Sequence, residues 1–356
     1  DVSVLSNFNS EPITSLDPTT RTALEGIGFK MTGERMIRGA VVDPQPREIA
    51  ERALFHKHHL HQSTRHENEI MALKKVDEIR DDFALRGRSE LYRVDLKSMA
   101  SAHRLHQGIN LRGHQVWASY EHFQEILAIR NQPADEELWD IVEFFSSHSD
   151  PNLFKERHAL TQSEFRKLVQ PLIRSGHIVQ DFRGGFRSVF VPEGVDRAEL
   201  RKEYIRKLVE KFPVITLRQL TQLAGPSFKP EELKAVLNSF EEDETLIKGF
   251  LIEDFHQVCW GRKELLQEAK SIPSIRDFVL PPSDPIAPYF ADIMKERFGF
   301  GSAYLVFRNA EPVAAFKANT RNKIIDVKDY EGSEKAWRIV KEFAWEHQMP
   351  LQTELR

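Results

Sequence analysis

One order of predicted elements occurs twice between residues 134 and 270, and no other feature limits the fold more. In the first copy, helices are predicted at Glu136–Ser147 and Pro151–His158, and a third helix follows Thr161. Thr161 and Glu164 have the Thr-x-x-Glu spacing of a capping box, which opens a helix. Apolar residues then recur at three- and four-residue steps up to Gly176, a residue that favours a helix end.

A predicted hairpin completes each copy. In the first, strand-like runs at Ile178–Phe182 and Phe186–Val191 meet at Gly184-Gly185, which is typical of a tight turn. Pro171 lies inside the preceding helix and removes a backbone donor, so we expect a bend there. The second copy has helices at Glu199–Phe212, Leu217–Leu223 and Glu231–Phe240, and strands at Leu246–Ile252 and His256–Trp260. Three helices followed by a two-stranded wing is the order of a winged-helix domain.

We therefore predict an α+β protein, mainly α-helical with small β wings, in which tandem winged-helix domains precede a C-terminal α/β cap. After Pro273 the cap has four strand-like runs and a closing amphipathic helix at Glu334–His347. Before the tandem, one or two long helices are predicted from Arg47 to about Arg86. The predicted divisions are an irregular lead-in with long helices (1–88), an N-terminal polar-motif region (89–133), the first winged helix (134–194), the second winged helix (195–270) and the cap (271–356).

Composition excludes several classes of protein. The 356 residues include a single cysteine, Cys259, which rules out an internal disulfide and a Cys-rich zinc site. The longest uncharged apolar stretches are far shorter than the roughly 18–20 residues of a membrane-spanning helix. No Walker A, dinucleotide or nucleophile-elbow motif is present, so we predict no cofactor and no nucleotide hydrolysis. The chain starts with Asp1 and no signal-like segment follows, so we expect a start that is processed, trimmed or cut from a longer polypeptide, and an intracellular protein, cytoplasmic or nucleoid-associated.

Basic residues gather on one face of the predicted first winged helix. Its third helix and its wing supply Arg166, Lys167, Gln170, Arg174, Arg183 and Arg187. A helix with this face can lie in the major groove of DNA, where Arg and Gln reach base edges and Lys reaches phosphate. A formal net charge of −4 does not exclude this, because only the local distribution of charge matters. The alternative is an ordinary solvated helix face; the basic wing favours binding to duplex or branched DNA.

The third helix of the second winged helix has the opposite charge. Its acidic residues, Glu231, Glu232, Glu241, Glu242 and Asp243, outnumber Lys229 and Lys234. Such a face repels phosphate. We expect it to serve in packing or to bind another protein.

Histidines are concentrated in a short stretch, at His56, His58, His59, His61 and His66. Pairs three residues apart could share a helix face, but no cysteine lies near them and no carboxylate has the spacing of a zinc protease. We predict no metal site, with these histidines solvated or packed.

The cap resembles a known family. Val279-Leu280-Pro281-Pro282-Ser283-Asp284-Pro285 is similar to the Leu-Ser-Pro-Phe-Asp-Pro segment of the AlkZ/YcaQ-type winged-helix crosslink-repair DNA glycosylases. Glu296-Arg297-Phe298-Gly299-Phe300 and then Pro312-Val313-Ala314-Ala315-Phe316-Lys317-Ala318 follow at similar distances, the latter where the family has Leu-Val-Gly-Arg-x-Asp-Ala-Lys. This resemblance, which extends to the related C-terminal region of Lhr-type helicases, covers the chain from about Leu91 to its end. The resemblance implies a concave DNA-binding body of three winged helices, and excision of alkylated or crosslinked bases.

The resemblance also implies where reactive groups lie. The family has Gln-x-Gln or Gln-x-Asp in its N-terminal part, followed by His-Glu-Ala. The nearest matches here are Arg93-Val94-Asp95, where Arg93 replaces the Gln, and Gly113-His114-Gln115, where Gln115 replaces the Glu. Asp95 is then implied to stabilise a sugar cation, with His114 or Glu121 orienting water.

Two alternatives remain open. Asp95 could instead be a helix cap or a surface ion-pair partner. The chain could be a non-enzymatic DNA- or protein-interaction module, such as the C-terminal part of a larger helicase or a transcription regulator. A pocket that unites Asp95 and His114 would favour the enzyme.

Overall fold

The computed structural model describes residues 18–26, 29–32, 35–38, 45–60, 77–88, 95–243, 245–253, 255, 257–272 and 275–353. None of the helices in these ranges is long and apolar enough to cross a membrane. The N-terminal elements are helix α1 (Pro18–Gly26), strands β1 (Phe29–Thr32) and β2 (Arg35–Arg38), and helices α2 (Arg47–Lys57), α3 (Asp82–Arg86) and α4 (Leu96–Ala102). Strands β1 and β2 form an antiparallel hairpin that the sequence analysis did not predict.

The next part of the chain contains a four-stranded sheet and four helices. Its elements are β3 (His106–Ile109), β4 (Gln115–Ala118), α5 (Tyr120–Arg130), α6 (Trp139–Ser147), α7 (Pro151–Arg157), α8 (Gln162–Ser175), β5 (Ile178–Asp181) and β6 (Phe186–Ser188). The strand order is β4-β3-β5-β6, and every pair is antiparallel. This sheet joins strands from both sides of the predicted division at residue 133, so the polar-motif region and the first three-helix unit share hydrogen bonds.

Local sequence explains both ends of α8. The Thr161 N–H donates to Glu164 Oε2 at 2.9 Å, and the Glu164 N–H donates to Thr161 Oγ1 at 3.3 Å, which confirms the predicted capping box. Gly176 ends the helix with a φ of 91°, a left-handed conformation that glycine adopts without strain. The helix continues through Pro171 without interruption.

A second unit repeats the order of three helices and a hairpin. It contains α9 (Arg197–Glu210), β7 (Val214–Ile215), α10 (Leu217–Ala224), α11 (Pro230–Glu242), β8 (Ile247–Gly249), β9 (Cys259–Gly261) and α12 (Lys263–Ala269), with strand order β7-β9-β8. The predicted strands Leu246–Ile252 and His256–Trp260 are longer than β8 and β9. Gln45 gives a physical reason, because its backbone bonds to the carbonyl of Leu251 at 2.8 Å and to the N–H of Glu253 at 2.9 Å. These groups are therefore not available to extend the hairpin.

The C-terminal cap is a five-stranded sheet covered by a helix; the four predicted strands and the closing helix are present, and the fifth strand was not predicted. It consists of β10 (Phe278–Leu280), α13 (Ala291–Phe298), β11 (Tyr304–Arg308), β12 (Glu311–Asn319), β13 (Ile325–Gly332), α14 (Glu334–Glu346) and β14 (Leu351–Thr353). The strands follow chain order, antiparallel except for β13 and β14. Ile339, Val340 and Phe343 of α14 are buried against Val306 and Phe316 of the sheet. The chain is thus an α+β protein.

The predicted long helices between Arg47 and Arg86 are wrong in part. Helix α2 ends at Lys57, and Ile79 forms a β-bridge with Trp117, whose N–H and C=O both bond to the Ile79 backbone at 2.7 and 3.0 Å. The buried Ile79 side chain packs in a separate cluster with Leu85, Leu96 and Met99. The apolar residues that recur at helical spacing between Arg47 and Arg86 therefore do not form the face of one continuous helix, because those of α2 and those from Ile79 onward pack in different places. Residues 61–76, including His61 and His66, lie outside the described residues.

An aromatic cluster attaches α2 to the cap. The Phe55 ring centroid lies 4.9 Å from that of Phe278, 4.8 Å from Phe307 and 5.8 Å from Phe290. All four side chains are buried. Helix α2 and the cap sheet are therefore parts of one hydrophobic core.

A buried ion pair makes a second connection to the cap. The guanidinium of Arg88 donates to both carboxylate oxygens of Asp284, at 2.5 and 2.8 Å, and also to the carbonyl of Ala84 at 2.9 Å. Asp284 Oδ1 accepts a further hydrogen bond from the Ile286 N–H at 3.1 Å. Because both charged side chains are only 1% exposed, each needs the other to compensate its lost hydration.

We predict that Arg88→Ala lowers the free energy of unfolding by about 3–5 kcal/mol, because it leaves the Asp284 charge buried without a partner. The double variant Arg88→Met/Asp284→Leu should lose less, since it removes both charges. Arg338→Ala is the control, because its pair with Glu342 is exposed and should contribute at most about 0.5 kcal/mol. Denaturant titration measures all three. Equal effects of Arg88→Ala and Arg338→Ala would contradict this role.

Candidate functional site

Two hollows meet at Leu111 and Arg112, in the turn between β3 and β4. The first, which we call the basic groove, is lined by Arg112, Arg130, Gln170, Arg174 and Arg201, among others. The second, which we call the Glu78 pocket, is lined by polar side chains that include His58, Asp77, Glu78, Asn110, Arg112, His122, Glu125, Tyr204, Lys207 and Lys211. The pocket has a volume of about 120 Å³, which is room for several water molecules.

Glu78 is the centre of a hydrogen-bonded cluster in the pocket. His122 Nε2 lies 3.0 Å from Glu78 Oε1, and Asn110 Nδ2 donates to Glu78 Oε2 at 2.6 Å. The Glu78 and His122 side chains are only 13% and 10% exposed. On the other side of the imidazole, Nδ1 lies 3.7 Å from Glu125 Oε2. The histidine therefore stands between two carboxylates.

Local structure holds these side chains in place. His122 is in the first turn of α5, where its N–H donates to the N-cap residue Ser119 at 3.1 Å. The side-chain oxygen of Asn110 accepts from the backbone N–H groups of Arg112 and His114, at 3.1 and 2.9 Å, which fixes the turn. Glu78 precedes Ile79, whose backbone is paired with Trp117. The pocket thus depends on contacts between segments far apart in the sequence.

The cluster is charged at neutral pH. Burial by itself lowers the pKa of His122, but its interactions with the carboxylates of Glu125 and Glu78 outweigh it and raise this pKa from 6.5 to about 9. Burial raises the pKa of Glu78, yet the hydrogen bonds from His122 and Asn110 bring it below its ordinary value. A carboxylate and an imidazolium therefore face each other inside the pocket.

Helix α9 forms one wall of the pocket. Its Lys207 Nζ lies 3.4 Å from Glu125 Oε1, and Lys211, just after the helix, pairs with Asp77. These pairs link α9 to α5 and to the segment that carries Glu78. His58 is buried, and its Nε2 donates to the carbonyl of Lys211 at 2.9 Å. Within the described ranges, no group of three or more His, Cys, Asp or Glu residues is arranged to hold a metal ion.

Two arginines of the basic groove have structural roles. Arg130 donates to the carbonyls of Ile109 and Asn110, at 3.0 and 2.5 Å. Arg201 forms a two-pronged pair with Glu232, with both distances 2.8 Å. In contrast, the guanidinium groups of Arg112 and Arg174 make no hydrogen bond or ion pair with the part of the chain that the structure describes. These two cations are available to a ligand in the groove.

The predicted DNA-binding residues occupy two places. Gln170 and Arg174 line the basic groove, whereas Arg166 and Lys167 are exposed elsewhere on α8. On the hairpin, Arg183 is exposed, and Arg187 lies over the Tyr120 ring, 3.7 Å from its centroid.

The hairpin tip is less open to phosphate than its Gly-Gly sequence suggests. Asp181 Oδ1 accepts from the backbone N–H groups of Arg183 and Gly185, both at 2.8 Å. These donors are therefore engaged, and a carboxylate stands beside them.

None of the residues implied by the resemblance lines the Glu78 pocket, although the backbone N–H of His114 donates to Asn110 of the Glu78 cluster. Asp95 is exposed and caps α4, accepting from the Lys97 N–H at 2.9 Å. His114 is partly buried, and burial followed by the charges of Arg80 and Arg112 lowers its pKa. Glu121 is exposed in the first turn of α5. Among the described residues, no hydrogen bond or ion pair joins these three; Arg93 and Val94 lie outside those residues.

Sequence reasoning missed Glu78, Asn110, His122 and Tyr204. Glu78 and His122 are separated by 44 positions, and neither has a neighbour at a spacing typical of a known motif. The only local signal was the Ser119 cap, which fixes where α5 begins and hence where His122 points.

We predict that stability falls as pH rises from 6.5 to above 9. Because the folded pKa of His122, about 9, exceeds the unfolded value of 6.5, its contribution is full below pH 6.5 and lost as pH rises through about 9. A shift of this size corresponds to about 3 kcal/mol. Denaturant titration across this range measures it, and His122→Gln should remove most of the slope. An equal slope in that variant would contradict the assignment.

No protein-family model matches this sequence, and no curated protein is significantly similar to it. The structure is similar to that of the Streptomyces sahachiroi DNA glycosylase AlkZ, with a TM-score of 0.62 and 10% sequence identity. The match covers 87% of this chain and 100% of that chain. The AlkZ/YcaQ-like fold implied by the cap segments is therefore confirmed.

Proposed function

We propose that this chain binds DNA and releases a damaged base from it, with the basic groove holding the backbone and the Glu78 pocket receiving an extruded nucleotide. One observation carries the proposal: the groove and the pocket meet at Leu111 and Arg112. A strand bound by Arg112 and Arg174 would therefore lie next to a buried carboxylate. Enzymes that act on a base must take it out of the stack into such a pocket. The likeness to a DNA glycosylase in fold supports the same function.

Glu78 is suited to stabilise the cation that forms during base release. As the bond between C1′ and the base breaks, its electron pair leaves with the base and positive charge develops on the sugar. A fixed, ionised carboxylate in a mostly buried site favours that state. His122 and Asn110 keep Glu78 ionised and oriented. Water then adds to C1′ and gives up a proton to solvent.

The three residues implied by the resemblance have different roles in the proposed reaction. Asp95 already caps α4, so we assign the anionic role to Glu78 and keep Asp95 as the alternative. His114 is close enough to Glu78 for that charge to affect its pKa, and it remains a candidate for orienting water. Glu121 does not line the pocket, so its role stays a prediction.

We also propose that the two helical units are winged-helix domains with different roles. The first would bind duplex or branched DNA through α8 and its hairpin, in an intracellular setting. The second has acidic residues on α11, of which Glu232 is paired with Arg201 while Glu231 and Glu242 are exposed. That exposed acidic face would serve in packing or bind another protein.

A non-enzymatic module, such as the C-terminal part of an Lhr-type helicase, is the second candidate function. The observation that favours it is the structural role of Asp95, which sits where the family's reactive polar group is expected. Such a module would use the basic groove for binding alone.

We predict that Arg166→Glu/Arg174→Glu weakens binding to all DNA sequences, because both cations would contact phosphate. The slope of log affinity against log salt should become shallower by about one for each lost contact. Glu241→Ala/Glu242→Ala is the matched control on the acidic helix and should leave affinity unchanged or slightly higher. Fluorescence anisotropy at several salt concentrations measures both. A large loss only in the control variant would show that the two units have opposite roles.

We predict that Glu78→Gln reduces base release from alkylated DNA by about 10²-fold while DNA binding persists, the usual effect of losing one electrostatic stabiliser. Asp95→Asn, the matched carboxylate-to-amide control, should retain most activity. If Asp95→Asn loses base release and Glu78→Gln retains it, Asp95 has the anionic role instead of Glu78. Base release that appears only after Arg93→Gln would support a binding protein without activity of its own.

A further inference from the structure

Tyr204 has a fixed position in the wall of the Glu78 pocket. It lies on α9 and lines the pocket together with Glu78 and Asn110. Its ring stacks on Phe228, with centroids 5.6 Å apart and planes within 11°. The Arg201 guanidinium lies 4.5 Å from the centroid of that same Phe228 ring, and Glu232 holds Arg201 in place. The Tyr204 ring therefore belongs to a stack that determines its orientation.

The Tyr204 hydroxyl makes no hydrogen bond with the described residues, a property that it shares with the Arg112 guanidinium in the same pocket. Other donors of the pocket are engaged: Asn110 and His122 bond to Glu78, and His58 bonds to a backbone carbonyl. Tyr204 is only partly buried, and a hydroxyl that lines a pocket without a partner in the protein can donate to a ligand that enters it.

The hydroxyl is also kept as a donor. Burial, followed by the negative charge of Glu78, raises the pKa of Tyr204 well above its ordinary value. It therefore carries its proton throughout the neutral range.

We propose that the Tyr204 hydroxyl donates a hydrogen bond to a ring nitrogen or carbonyl oxygen of the base that enters the Glu78 pocket. This inference rests on the proposed function and adds a requirement for the ligand, namely a base with an acceptor atom facing α9. The same contact would help base departure, because electron density moves onto the acceptor atoms of the base as its bond to the sugar breaks. A base of similar shape without an acceptor would leave the hydroxyl unpaired.

The test compares two duplexes that differ in one bulged nucleotide, either adenine or indole, which is similar in shape and lacks the acceptors. Wild-type protein should bind the adenine bulge about 3- to 10-fold more tightly, the range expected for one hydrogen bond in a closed site. Tyr204→Phe should abolish this preference and leave affinity for the matched duplex unchanged. Tyr330→Phe is the matched control, since its hydroxyl bonds to the Ser333 carbonyl in the cap.

A second measurement does not depend on how a variant folds. Replacing the bulged adenine with its 1-deaza, 3-deaza or 7-deaza form removes one ring acceptor at a time, and one of these should lower wild-type affinity to that of indole. The inference is overturned if wild type binds adenine and indole equally, or if Tyr204→Phe keeps the preference.

Base release is assayed separately on the same proteins, so the two proposals can fail independently. A Tyr204-dependent preference for adenine without base release from any alkylated duplex would support the inference and refute the enzymatic function. Base release without any preference between the adenine and indole bulges would support the enzymatic function and refute the inference.

Discussion

The buried pair of Arg88 and Asp284 fixes the geometry on which the pocket depends. Removing two charges from water costs several kcal/mol per ion, and a close arrangement with several hydrogen bonds offsets that cost. Arg88 donates three hydrogen bonds, although its Nε has no partner among the described residues, and Asp284 accepts from Ile286 as well as from Arg88. The segment that ends at Arg88 also carries Glu78, while Pro285 and Ile286, next to Asp284, line the same pocket. One ion pair thus connects two segments that contribute to the pocket lining.

Charge is separated within the molecule in a way that the net charge does not reveal. The formal charge is −4, yet the groove presents free guanidinium groups while the pocket beside it contains three carboxylates. The pocket is not simply negative, since His122, Lys207 and Lys211 compensate Glu78, Glu125 and Asp77. Under the proposed function, the free guanidinium groups of the groove would attract the phosphate backbone, and the Glu78 carboxylate would face the sugar of a single nucleotide.

The three pocket residues with proposed roles lie on different parts of the chain. Glu78 follows a stretch of chain outside the described residues, Asn110 lies in the turn after β3, and Tyr204 belongs to α9 of the second helical unit. Because α9 also carries Arg201, whose side chain faces the groove, a ligand in the groove and one in the pocket would contact the same helix. The second unit is therefore part of the site even though its α11 surface is acidic.

The sequence by itself determined the features that rest on local interactions. The capping box of Thr161 and Glu164, the end of α8 at Gly176, and the four predicted strands and closing helix of the cap all come from residues within a few positions of each other, whereas α13 and β14 were not predicted. The cap segments also sufficed to identify the fold. Tertiary structure alone decided the pairing of Glu78 with His122, the bridge between Ile79 and Trp117, and the bonds of Gln45 that shorten the second hairpin. Such contacts join distant segments and have no periodic pattern in the sequence, because each side chain needs only a complementary partner in space. For the same reason, the sequence predicted a helix cap at Asp95 as one alternative but could not decide between that role and a catalytic one. Nor could the sequence distinguish the buried carboxylate of Glu78 from a solvated charge.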